Sequence, residues 1–143
     1  MMNRGGTLLL TALCVLLASC VRPDTEEWYV CAEDAVNGNY LFDLDMTDSL
    51  ATFDLSLYFR VDNLKSRGAF VPMNVSWYSP SSKKMLEETV YMECGKYSEG
   101  AQALYRDAVR PGEPGIWKIN VRPMNPPVGF RGVGVIFTRN GTR

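Results

Sequence analysis

The side chains that could carry chemistry in this sequence are cysteines, carboxylates and aromatic rings. Its 143 residues include four cysteines, 15 Lys and Arg, and 16 Asp and Glu, but no histidine. The lack of histidine excludes Ser-His-Asp and Cys-His nucleophilic sites and imidazole metal clusters. The cysteines show no CxxC spacing, so the sequence gives no support to a zinc site or to thioredoxin-like redox chemistry.

Cys20 is the cysteine whose surroundings predict a reaction. It follows an uncharged apolar stretch, 7–18, that begins shortly after Arg4. A basic start, a short apolar segment and small residues before a cleavage point are typical of a secretory signal, and the stretch is too short to span a bilayer. The ending Leu17-Ala18-Ser19-Cys20 looks like a bacterial lipobox, which predicts cleavage before Cys20 and a diacylglyceryl group on its thiol. The alternatives are an ordinary signal peptide that contains a cysteine, or an uncleaved anchor helix.

These features divide the chain into three parts: a lipoprotein signal peptide at 1–19, a lipidated tether at 20–27 and a folded domain at 28–143. Two or three acyl chains hold a protein stably on a bilayer, so we expect attachment to a membrane through the lipid on Cys20. The proline and acids of "VRPDTEE", 21–27, predict a flexible tether. They also loosely match a signal for export to the outer leaflet in Bacteroidota, which favours the outer membrane and leaves the leaflet open.

The mature chain keeps one further pair of cysteines, Cys31 and Cys94. Disulfides form in exported proteins, so these two residues are a possible disulfide. The alternative is a pair of small buried thiols, which is a common environment for cysteine.

The carboxylates of the chain are better explained as a solvated surface than as a site. Asp43, Asp45 and Asp48 offer the oxygen ligands that calcium prefers, but the stretch lacks the glycine and closing glutamate of an EF-hand loop. Glu87 and Glu88 are adjacent in a predicted strand and point to opposite faces, unlike the paired carboxylates of a glycosidase. We therefore predict no metal, no other cofactor, no catalytic site and no small-molecule substrate.

The charge balance argues against a nucleic-acid partner. Cleavage would remove one basic residue, Arg4, and leave the mature chain slightly acidic. The basic residues are scattered, and Lys83-Lys84 is their single adjacent pair. Nucleic-acid binding needs a clustered basic excess, so we expect none.

The dominant period of the mature chain is two, which predicts strands with one buried face. Apolar and polar residues alternate in 52–61, 71–78, 86–94 and 116–121. A denser apolar run at 133–138, weaker runs at 28–32 and 40–46, and the ambiguous 101–109, which we assign to a strand over a helix, complete the set. Glycine, proline, asparagine and serine separate these segments. The pattern predicts an all-β domain, an antiparallel β-sandwich of about seven or eight strands.

The same alternation predicts which side chains face the core. The expected inward residues are Phe53, Leu55, Leu57, Phe59, Val61, Val71, Met73, Val75, Trp77, Leu86, Val90, Met92, Cys94, Trp117, Ile119 and Val121. Glu88 interrupts its inward set, so we expect it near the start of a strand. Tyr58, Tyr78 and Tyr91 lie on polar faces, where they would form a binding patch if they share one sheet.

Two segments of the chain are similar to a known family. The carboxyl end, "GIWKINVRPMNPPVGFRGVGVIFTR", and the upstream "SLATFDLSLYFRVDNLKSRGAFVPMNVSW" resemble the gliding-motility lipoprotein H family of Bacteroidota. The matching positions are Leu57, Phe59, Arg60, Phe70, Pro72, Asn74, Gly115, Trp117, Arg122, Met124, Gly132, Val133 and Gly134, together with Cys20. The segment "CGKYSEGAQALYRDAVRP", 94–111, departs from the family. The resemblance implies a non-enzymatic envelope lipoprotein linked to gliding motility or protein secretion.

Together these observations favour a lipid-anchored, non-catalytic protein of the bacterial cell envelope that binds another envelope protein. The alternative is a surface glycan-binding lipoprotein, which exposed coplanar aromatic rings beside a groove would favour.

Overall fold

The computed structural model describes residues 24–62, 68–95 and 100–141. They form eight strands: β1 Thr25–Cys31, β2 Tyr40–Met46, β3 Thr52–Val61, β4 Phe70–Tyr78, β5 Lys84–Glu93, β6 Gly100–Val109, β7 Gly115–Pro123 and β8 Phe130–Asn140. A single 3-10 turn, Ala32–Asp34, follows β1. In the described part of the chain, no helix has the length and apolar character needed to cross a membrane.

The strands form two four-stranded sheets whose neighbours are all antiparallel. Sheet A has the order β1-β8-β3-β6, and sheet B has the order β2-β7-β4-β5. The predicted antiparallel β-sandwich is therefore confirmed. The ambiguous segment 101–109 is a strand, β6, which pairs with β3.

The core lies between the two sheets and is built by the predicted alternation. In β2 every second residue is buried, from Tyr40 to Met46. Phe53 of β3 stacks on Phe137 of β8 at 5.2 Å between ring centroids. Trp77 and Trp117, both predicted for the core, are buried and meet edge to face at 6.3 Å. Burial of each large apolar side chain stabilises the fold by about 1.5–3 kcal/mol.

One predicted inward residue departs from this pattern. Leu86 is 39% exposed, although it faces the same side of β5 as the buried Met92. β5 is an edge strand of sheet B, so one of its sides is not covered by a neighbouring strand. The alternation therefore predicts the face of Leu86 correctly and its burial wrongly.

The sandwich begins earlier than the sequence predicts. β1 starts at Thr25, whereas the tether was expected to continue to residue 27. The cause is a long-range pairing: Thr25 lies opposite Thr138 in β8, and the backbone N–H of Arg139 donates to the carbonyl of Asp24 at 2.7 Å. A local run of acids gives no sign of a pairing with residues more than a hundred positions away.

The strand directions give the sandwich two distinct ends. β1 and β3 both run antiparallel to β8, so they run in the same direction as each other. The near end is the end at which Thr25 and Thr52 begin their strands. The far end is the one at which Cys31 and Val61 finish theirs.

Candidate functional site

The three tyrosines predicted on polar faces do not form one patch. Tyr58 belongs to β3 of sheet A, whereas Tyr78 and Tyr91 belong to sheet B. Within sheet B, Tyr78 lies opposite Lys84 and Tyr91 lies opposite Pro72, so the two rings are at opposite ends of the β4–β5 hairpin. Tyr91 is 68% exposed, but Tyr58 is buried. The burial of Tyr58 on an outward face points to a local structure on sheet A.

Two glycines of β8 create that local structure. Tyr29 of β1, Gly134 of β8 and Tyr58 of β3 lie side by side in the sheet register, and Gly132 is the next residue of β8 on the same face. A Cβ atom on Gly134 would lie 2.0 Å from Cζ of Tyr58, and one on Gly132 would lie 2.7 Å from the Tyr29 hydroxyl oxygen. Any larger residue would displace a ring. The glycines therefore let both tyrosines lie against the backbone of β8.

An arginine completes the arrangement. The Tyr29 and Tyr58 rings stack with centroids 5.9 Å apart and planes within 11°. Cζ of Arg60 lies 5.5 Å from the Tyr29 centroid and 5.8 Å from the Tyr58 centroid. A guanidinium at this distance is attracted by the electrons of an aromatic face. We call Tyr29, Tyr58 and Arg60, with Gly132 and Gly134 beneath them, the platform.

A carboxylate holds the Tyr58 ring of the platform in place. The Tyr58 hydroxyl donates a hydrogen bond of 2.6 Å to Oε1 of Glu27. Burial, followed by this hydrogen bond and the charge of Glu27, raises the pKa of Tyr58 to about 12. Burial and the neighbouring Cys31 also raise the pKa of Tyr29. Both phenols are therefore protonated at neutral pH, and Arg60 is the positive charge of the platform.

Two surface clefts border the platform, and Arg60 lines both. One has a volume of ≈ 330 Å³ and is also lined by Glu27, Tyr58 and Gln102. The other has a volume of ≈ 460 Å³ and lies at the far end, where its lining adds Tyr29, Cys31, Glu33, Asp62 and Arg131. Arg131 is held by Asp62 at 3.0 Å. Among the described residues, no carboxylate forms an ion pair with Arg60.

A second polar cluster joins the two sheets at the β5 and β6 edges. Glu88 lies in the middle of β5 on its inward face, and its carboxylate accepts hydrogen bonds from the Tyr105 hydroxyl and the Arg106 guanidinium of β6. Nε1 of Trp77 donates to the Tyr105 hydroxyl oxygen at 3.1 Å. Burial and the bond to Glu88 raise the pKa of Tyr105 to about 12. The expectation that Glu88 lies near a strand start is therefore wrong. Glu88 can lie in the middle of β5 because Arg106 and Tyr105 bind its carboxylate at the edge of the sandwich.

Of the aspartates predicted as solvated carboxylates, Asp45 and Asp48 lie at the near end, and Asp43 lies in the middle of β2 opposite Lys118. Backbone N–H groups of the β2–β3 turn donate to two of them, Thr47 to Asp45 at 3.0 Å and Leu50 to Asp48 at 3.1 Å. Arg139 lies 3.8 Å from Asp48. These residues line a cleft of ≈ 470 Å³ at the opposite end of sheet A from Arg60. In the described ranges, no group of three or more acidic or cysteine residues is arranged to hold a metal ion.

The cysteines are distributed between separate sites. Cys31 ends β1 in sheet A, Cys94 follows β5 of sheet B, and both are free thiols in the structure. Cys94 is buried and Cys31 is half-buried. Cys20, the predicted lipidation site, lies outside the described residues.

The platform was missed by the sequence analysis, which placed Tyr58 in solvent and gave Tyr29 no role. The available signal was the pair Gly132 and Gly134 in an otherwise apolar strand, since glycine in a strand often marks the close approach of another group. The sequence does not say which residues lie beside those glycines, because that depends on the strand order.

Comparison with known proteins adds little to this geometry. No family model matches the chain, and no curated protein matches it. Among solved structures, the crystal structure of GEBA250068378 from Sulfurospirillum deleyianum aligns with a TM-score of 0.44 and 12% identity. The alignment covers 85% of this chain and 100% of that one. We base no conclusion on a likeness of this size.

Proposed function

We propose that this protein is a lipid-anchored, non-catalytic module of the bacterial envelope that binds another envelope protein through the outer face of sheet A. The observation that carries the proposal is the platform: two stacked tyrosines and an arginine held in place on an outward sheet face. Tyrosine and arginine are enriched where proteins contact one another. The resemblance to the gliding-motility lipoprotein H family extends the proposal to gliding or secretion machinery.

The position of the platform suits a protein anchored at Cys20. Thr25 is the fifth residue after Cys20, and an extended chain covers at most about 3.6 Å per residue. The near end would therefore stay within roughly 18 Å of the membrane surface. Arg60 lies level with Cys31 in the sheet register. Cys31 is six residues after Thr25 in β1, so the rise of a strand places this level roughly 20 Å from the near end. The platform would thus lie farther along the sandwich from the proposed lipid attachment point than the near end does.

The anchor itself can be tested by metabolic labelling with a fatty-acid analogue. The Cys20→Ala variant should lose all label, because its thiol is the proposed attachment point. The matched control is Cys14→Ala, which lies within the proposed signal peptide and should leave labelling of the mature protein intact. Persistent label on Cys20→Ala would refute lipidation at this residue.

The binding face can be tested with two exposed leucines. Leu104 is 62% exposed on the outer face of sheet A, and Leu41 is 59% exposed on the outer face of sheet B. A photo-crosslinking amino acid would replace each of them in turn in living cells, and adducts would be identified by mass spectrometry. We expect a discrete protein adduct from position 104 and none from position 41. Equal adducts from both positions, or adducts from position 41 alone, would contradict the proposed face.

Glycan binding is the second candidate, and the near-parallel Tyr29 and Tyr58 rings favour it. Sugar rings stack on the open faces of aromatic side chains. Here Tyr58 is 6% exposed and Arg60 lies over both rings, so little aromatic face is open. The protein partner is therefore the better supported occupant.

A further inference from the structure

From the geometry around Arg60 we infer that the platform binds a carboxylate of its partner, supplied by an acidic peptide segment. The inference rests on the proposed function and specifies the chemistry of the partner. It starts from a contrast among the arginines that contact an aromatic ring or line the far-end cleft. Arg106 is paired with Glu88, and Arg131 is paired with Asp62. Arg60 is exposed and lies over two aromatic rings, and no carboxylate of the described residues forms an ion pair with it.

The rings prepare Arg60 for this role. A free arginine side chain loses considerable rotamer freedom when it binds a ligand, which weakens binding. Contacts with Tyr29 and Tyr58 limit that freedom before any ligand arrives. A guanidinium that is attracted to an aromatic face can still donate its N–H groups, and the fork of those groups matches the two oxygens of a carboxylate.

The charges around the far-end cleft make Arg60 the available cation. Arg131 lines the same cleft, but Asp62 already occupies its guanidinium at 3.0 Å. Glu33 also lines this cleft, and Glu27 lines the cleft on the other side of Arg60. Glu27 is engaged by the Tyr58 hydroxyl. An incoming carboxylate would therefore meet Arg60 as its partner, with Glu33 and Asp62 disfavouring ligands of high negative charge density.

An extended peptide fits the shape of the surface better than a compact anion does. The two clefts lie on either side of Arg60 along the outer face of sheet A. Exposed Leu104 lies on the same face, one row of the sheet register beyond Tyr58 and Gln102. A chain that carries one acidic and one apolar side chain could contact both Arg60 and Leu104.

The test is a binding titration with the full lipidated chain in detergent micelles at physiological salt. The probe is a glycine-based peptide with blocked ends that carries one glutamate and one leucine, and the same peptide with glutamine in place of the glutamate is the neutral control. We expect the acidic peptide to bind and the neutral one to bind at least tenfold more weakly. Arg60→Gln should weaken binding of the acidic peptide by roughly tenfold or more, because a charge-assisted pair is lost. The control Arg122→Gln removes an equal charge from sheet B and should change binding less than twofold.

Several results would overturn the inference. Unchanged binding by Arg60→Gln would remove its basis, and an equal loss in Arg122→Gln would show general charge attraction instead. An oligogalacturonate that binds at Arg60 when the peptide does not would assign the site to acidic glycans. If the photo-adduct from position 104 forms equally in wild type and Arg60→Gln, the proposed function stands and the carboxylate inference fails. If no adduct forms although the acidic peptide binds at Arg60, the proposed function fails separately.

Discussion

The outer faces of the two sheets have the same alternating pattern of residues and very different structures. On sheet B the outward side chains are exposed: Asp43 of β2 lies opposite Lys118 of β7, and Lys84 and Glu87, both in β5, form an exposed ion pair at 2.6 Å. On sheet A, Tyr58 is buried on the outward face because Gly134 lies beside it. The difference shows that an outward face can build its own packed layer when a neighbouring strand supplies no side chains.

The largest expected effect comes from filling the space that distinguishes sheet A. Gly134→Val should destabilise the fold by about 2–3 kcal/mol, because the new side chain occupies the position of the Tyr58 ring and the well-packed layer cannot absorb it. Chemical denaturation of the full chain would measure the change. Gly112→Ala is the control, since a Cβ there meets no atom within 4 Å. A Gly134→Val protein as stable as this control would show that the tyrosine layer is not packed.

Replacing either of two adjacent carboxylates of β5, which face different ways, should change the stability of the fold by a smaller amount. Glu88→Ala should cost about 2 kcal/mol of unfolding free energy, because Arg106 and Tyr105 lose their shared acceptor at a partly buried site. Glu87→Ala on the solvated face should have a much smaller effect, since its pair with Lys84 is exposed and screened by solvent. Equal costs in urea denaturation would mean that the Glu88 cluster does not hold the two sheets together.

The same substitution made on each sheet sharpens the comparison further. Tyr58→Phe removes the hydroxyl that donates to Glu27 and should cost about 1 kcal/mol. Tyr91→Phe on sheet B should be close to neutral, because that side chain is 68% exposed. Thermal denaturation followed by circular dichroism would separate them. Indistinguishable midpoints for the two variants would argue that the Tyr58 hydroxyl is solvated.

The smallest expected effect is a loss of stability in alkaline solution, where two tyrosines lose their protons. The folded state raises the pKa of Tyr58 and of Tyr105 to about 12, above the ordinary value of 10.0, so it favours their protonated forms. Their contribution to stability is complete below pH 10 and is lost as the pH rises through about 12. Ultraviolet absorbance of phenolate should show a late titration step that Tyr58→Phe and Tyr105→Phe each reduce. A titration curve that is unaltered in both variants would contradict the raised values.

The sequence predicts those parts of this fold that depend on local alternation. The strands, the inward residues of β3 and β4 and the core positions of Trp77 and Trp117 all follow from a period of two. The burial of Tyr58 could not be predicted in the same way, because it depends on Gly134, far away in the chain and adjacent in the sheet.

The same limit explains the other differences. β1 begins at Thr25 because β8 pairs with it, and Glu88 is tolerated inside the sandwich edge because Arg106 lies on the facing strand. Each outcome is set by a partner more than fifteen residues away. Arg60 could be placed on an outward face from the sequence, but its contact with two rings could not.

The position of β1 at the edge of sheet A has a mechanical consequence. All seven residues of β1, Thr25–Cys31, are in register with β8, and the proposed anchor joins the chain just before Thr25. A pull between the lipid and a partner held at Arg60 would act along the axis of β1. Such a load stretches the β1–β8 hydrogen bonds together in shear, whereas a pull across the strand would break them one at a time. With the proposed anchor and the proposed partner in place, the fold would carry the tension between them in shear.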